Sequence, residues 1–149
     1  MADLLERCSD LPRRHLPDGS TLVEQGEAFG QVLVLARGAV VIERDGQPVT
    51  TIDTPGAVLG EMSTVLDRPA TATIRAGADT EVLVAEDGLA YLAEHPEVVI
   101  EVARVLATRL DALTGHLADV KRQYADSGTH LGMLDDVLST LMHHHRPEV

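Results

Sequence analysis

A chain of 149 residues has room for one domain, and 44% hydrophobic with 24% charged residues is the balance of a globular protein. Twelve basic against 24 acidic side chains give a net charge of −12, which argues against a partner whose phosphates need a basic face. Phe29, Tyr91 and Tyr124 are too few aromatics for a base-stacking platform, the lone Cys8 cannot form an internal disulfide, and no apolar run reaches membrane-span length. With no signal-peptide pattern at the N-terminus, the expected location is the cytoplasm.

In chain order, Ala2–Cys8 predicts a short helix. Gly19, Gly26, Gly30, Gly38, Gly46, Gly56 and Gly60 then punctuate the next stretch at turn spacing. Between and after them, Ser20–Val23, Val32–Ala36, Ala39–Glu43, Pro48–Ile52, Ala72–Ala76 and Glu81–Ala85 are β-branched or alternating runs of strand length. Asp45-Gly46 between two such runs is the strongest hairpin signal, because a tight reverse turn needs positive φ. Many short strands at this spacing predict a small antiparallel barrel or jelly roll.

From residue 86 the apolar period changes to that of a helix. Leu89, Tyr91 and Leu92 mark a short one that stops before Pro96, and Pro96 starts a much longer one. Along it Val99, Leu106, Leu113 and Val120 repeat every seven residues, and so do Ala103, Leu110, Leu117 and Tyr124. About 28 residues at 1.5 Å each extend roughly 40 Å, farther than the core of a domain this size is wide. The outer half therefore needs another surface, most simply a second copy of the chain. Asp126-Ser127-Gly128 ends the helix, and His130–Met142 predicts a last amphipathic segment. The domain boundaries expected are 1–95, 96–126 and 127–149.

Three Gly-centred phrases carry a resemblance: Gly19-Ser20-Thr21-Leu22-Val23-Glu24-Gln25-Gly26-Glu27, Val32–Val41 with Arg37-Gly38 inside it, and Pro55-Gly56-Ala57-Val58-Leu59-Gly60-Glu61-Met62. In this order, before an all-helical end, they resemble the cyclic nucleotide-binding domain family across about residues 10–125. The resemblance implies an α+β fold, an antiparallel β-roll or jelly-roll barrel. A short N-terminal helix, a short cassette helix and a long C-terminal dimerisation helix complete it. It also implies a possible ligand, a cyclic nucleotide such as cAMP, held at Leu59–Thr73. There Gly60 gives close backbone approach, Glu61 takes the ribose hydroxyl, Met62 and Ser63 follow on the cassette helix, and Thr71 and Ala72 face the phosphate.

The family places an Arg after the cassette Pro to pair that phosphate bidentately. This chain reads Arg68-Pro69-Ala70-Thr71-Ala72-Thr73, so Ala70 stands in the Arg position. Arg68 folding back or Arg75 reaching in from the next strand are the two available substitutes. Two functions follow. Either the roll senses a cyclic nucleotide or related anion and acts on a partner protein, or the pocket is degenerate and the fold serves as a dimeric interaction platform.

Other candidates have duller explanations. His143-His144-His145 are sequential and do not converge on one metal ion, and His15, His95, His116 and His130 lack ligand spacing. Cys8 as a haem ligand is weaker than Cys8 as a buried thiol. Asp135-Asp136 and Glu97/Glu101 suit solvated helix faces, and no catalytic constellation is present, so no enzyme, metal or cofactor is expected. Residues 127–149 hold one Arg, no Lys and three acids, which predicts a stand-alone module without a DNA-binding helix-turn-helix.

Overall fold

The structure, a computed structural model, describes residues 4–124, 136–137 and 139–141. The described chain falls into two compact units, Met1–Val102 and Ala103–Val149. The division between these units lies inside the long helix that starts at Pro96. The cause is local: Val98 and Val102, one helical turn apart, are 1% and 4% exposed and complete the first unit's interior.

The first unit is built on two four-stranded antiparallel sheets. One has the order β1 (Arg13–Leu16), β8 (Thr80–Ala85), β3 (Val32–Arg37), β6 (Val58–Leu59). The other runs β2 (Thr21–Val23), β7 (Thr73–Ala76), β4 (Val40–Arg44), β5 (Gln47–Ile52). Every pairing joins strands distant in sequence except the β4–β5 hairpin, the jelly-roll pattern expected from the spacing of turns. At its tip Asp45 and Gly46 both have positive φ, 53° and 77°, so the dipeptide forms the turn that twist-matched hairpins require.

Two strands were not legible in the sequence. β1 reads Arg-Arg-His-Leu, with only Leu16 buried, and β6 is two residues long; neither carries an apolar alternation. Inside the roll Leu33, Leu35 and Val82 are fully buried, with Leu16, Val23, Val40, Leu59, Ala70, Ile74, Ala76 and Val84 around them. Burying each such side chain contributes about 1.5–3 kcal/mol.

Helices close the unit. Among the described residues α1 is Leu4–Arg7, within the 2–8 expected, α2 (Glu61–Leu66) lies in the cassette, and α3 (Gly88–Glu94) is capped by Asp87, whose Oδ1 accepts from Ala90 N at 3.1 Å. α4 (Pro96–Gln123) begins on Pro96 as expected and passes through Gly115 without a break. From Ala103 onward no residue of α4 is buried. The expected break at 126–128, most of the expected segment 130–142 and the histidines 143–145 lie outside the described residues; 136–137 and 139–141 are helical.

Candidate functional site

α2 is placed by a glycine. Gly60 has φ 78° and ψ 0°, a left-handed conformation costly for any residue with a Cβ, and it turns the chain from β6 into α2. A Cβ there would lie 2.4 Å from Phe29 Cε1 and 2.9 Å from the Gln31 carbonyl oxygen. Thr64 fixes the same contact from the helix side, its Oγ1 donating to Gln31 O at 2.8 Å, while Ser63 Oγ donates back to Gly60 O at 3.1 Å. Phe29 and Gln31, the wall against which the cassette is seated, were missed in the sequence; the one signal was a lone Phe beside Gly30.

The predicted site residues divide. Gly60, Glu61, Met62 and Ser63 come together at the start of α2, with Glu61 3% and Ser63 4% exposed and Met62 turned outward at 46%. Thr71 and Ala72 follow Ala70 half-buried on the approach to β7. Ala70 is held on both sides: its N–H donates to Glu27 O and its carbonyl accepts from Gly26 N, each at 2.8 Å. Its methyl group, 6% exposed, belongs to the apolar interior of the roll.

The two substitute cations lie in different places. Along β7 Ile74 and Ala76 face inward, so alternation sends Arg75 to the outer face. There its Nε donates to Glu43 Oε2 at 3.2 Å and its Nη1 to Thr21 Oγ1 at 2.6 Å. The period of the strand and these two polar partners place Arg75 on the outer face of the sheet. Arg68 lies after Asp67, whose φ of 52° redirects the chain, and it lines an open groove of about 410 Å³. Phe29, Gly30, Ser63, Asp67, Asp87 and Leu89 share that groove, and neither Glu61 nor Ala70 does.

The residue-level match now covers strand order, a Gly-positioned cassette and its buried acid. The description "cyclic nucleotide-binding domain" matches residues 13–88, just over half the chain. The chain belongs to the cyclic nucleotide-binding domain family. Among solved structures it is similar to the catabolite activator protein of Thermus thermophilus, at 27% identity and TM-score 0.59 over 92% of this chain and 79% of that one. A cyclic nucleotide-binding domain from Methylobacillus flagellatus KT superposes at TM-score 0.62 with 24% identity, covering 71% of this chain and 65% of that one. A cAMP-bound PfPKA-R gives TM-score 0.58 at 19% identity over 74% of this chain. This chain spans 37% of the PfPKA-R chain. No curated protein sequence matches. The same fold is thus seen in PfPKA-R with cAMP bound.

Cys8 is 1% exposed, and burial pushes its thiol pKa up, so at neutral pH it stays protonated and a poor ligand or nucleophile. Among the described residues no cluster of three or more His, Cys, Asp or Glu could hold a metal ion, and no helix is long and apolar enough to cross a membrane.

Proposed function

We propose that this chain is a non-enzymatic regulatory module that acts on a partner protein as a homodimeric interaction platform, with a cyclic-nucleotide pocket that has lost its main counter-charge. The observation that carries this is Ala70, packed in the core where the family's phosphate-pairing Arg is expected. Arg75 is tied to Glu43 and Thr21 on the outer face of its sheet, and Arg68 lines a groove that reaches Ser63 and Pro69 but not Ala70. Truncating one side of a buried bidentate pair costs about 2–5 kcal/mol, roughly 30- to 4000-fold in affinity.

The dimer rests on α4. Val99, Leu110, Leu113 and Tyr124 of the two heptad registers are 40–55% exposed, while Leu106, Leu117 and Val120 are half-buried. Knobs-into-holes packing against a second copy gives these side chains a surface. The net charge of −12 favours a protein partner over DNA, and the proposed setting is the cytoplasm, without a membrane.

A sensor of a cyclic nucleotide such as cAMP, or of a related anion, is the second reading. It is favoured by the left-handed Gly60, the buried Glu61 and the hydroxyl of Thr71. Titration calorimetry with cAMP, cGMP and cyclic dinucleotides at millimolar concentration separates the two. The platform reading expects dissociation constants above about 100 μM, and submicromolar binding returns the chain to the sensors.

A further inference from the structure

Two four-stranded sheets leave four edge strands, β1, β6, β2 and β5. An edge presents unpaired N–H and C=O groups to any extended chain, and proteins blunt this with charge, brevity or proline. Three of the edges are blunted here. β1 carries Arg13, Arg14 and His15, all exposed; β6 has two residues and β2 three.

β5 is different. It is six residues long, Gln47 through Thr51 are all exposed, and none of the six is charged. Pro48, second in the strand, and a one-residue register shift that leaves Val49 without a β4 partner interrupt the pairing, and Thr50-Thr51-Ile52 follow in register, paired on one side only, with β4. Val49 is 63% exposed, the most exposed large apolar side chain in the described chain. Its occupant is limited by these facts. Outward backbone groups on an edge strand are satisfied by another strand, and exposed Val and Thr pair best with β-branched residues across from them. The strand is bracketed by Asp45 and Asp53, both exposed, on a chain of net charge −12, which complements cations at the ends of an incoming segment.

We propose that the β5 edge accepts an extended, β-branched segment of a partner protein flanked by Lys or Arg, by strand addition to the β2-β7-β4-β5 sheet. This deepens the platform reading and rests on it, yet it is tested apart from it, since the nucleotide titration does not involve β5. The experiment records amide spectra and hydrogen exchange of the ¹⁵N-labelled full chain while adding the peptide Lys-Thr-Val-Thr-Val-Thr-Lys to about 1 mM. Shifts should be confined to residues 47–52 and their β4 neighbours, with alternate amides of 47–52 exchanging at least about tenfold more slowly. The double substitution Val49→Lys, Thr51→Lys places like charge on the edge without touching backbone, and should abolish both effects while leaving the remaining spectrum unchanged. A peptide with Pro at every second position should have no effect. No change at 47–52, or shifts spread over the acidic surface and equal for the Pro peptide, overturns the proposal. So does protection of 47–52 without peptide that grows with protein concentration, because the edge is then covered by a second copy.

Discussion

In the first unit Leu33, Leu35, Val82 and Leu83 are fully buried, whereas along α4 from Ala103 to Gln123 no side chain is. Both regions are rich in Leu, Val and Ala. In the roll, pairing of distant strands closes a space that those side chains fill, so their burial is decided within one chain. Along the helix the same residue types stand at heptad spacing without being buried, and it is there that a second copy is proposed to supply the surface. The roll is thus expected to be stable at any dilution, and the ordering of the helix beyond Val102 to depend on concentration.

That contrast is most sharply tested in the core. Leu35→Ala removes a side chain with no exposure, and should cost about 2–5 kcal/mol in urea unfolding. Leu113→Ala, at a position 48% exposed, should change the unfolding of dilute protein by less than about 0.5 kcal/mol. Comparable losses at the two positions would show that the helix is buried within its own chain.

Next in size is the dimer. Replacing Leu113 and Leu117 with Asp puts four carboxylates into the seam of two helices, and sedimentation should show a dissociation constant raised at least about hundredfold, or monomer throughout. Native protein that is already monomeric at tens of micromolar would remove the coiled-coil reading.

Smaller in energy is the change in the pocket. Ala70→Arg should tighten cAMP binding by at least about tenfold, 1.4 kcal/mol, because it restores the bidentate pair. The same substitution should lower the thermal midpoint without ligand, since Ala70 is a core residue 6% exposed and the added guanidinium then lacks a partner. Unchanged affinity in a folded variant would mean that the cassette cannot aim an Arg from this position.

The smallest effect belongs to Arg75. Its pair with Glu43 is partly exposed, 40% and 24% for the two side chains, so Arg75→Gln should cost less than about 1 kcal/mol and leave nucleotide affinity unaltered. A large drop in affinity would show that it reaches the pocket after all.

Six strands, the hairpin at Asp45-Gly46, the start of α4 at Pro96 and the family were legible in the sequence because each is local. Alternating β-branched residues, a dipeptide that tolerates positive φ and a Pro suited to a first turn act within a few residues of themselves. β1 and β6 were not, since Arg13–Leu16 and Val58–Leu59 become strands only by pairing with β8 and β3. That Ala70 stands where the resemblance expects an Arg was likewise readable from order along the chain. Its meaning was not, because which side of the sheet Arg75 faces, which groove Arg68 lines and how closely Phe29 meets Gly60 are distances between segments remote in sequence. Composition and period by themselves determined which segments form strands, turns and helices. Only the closing of two sheets on each other decided which side chains share a site, since strand register converts a one-residue step into a change of face.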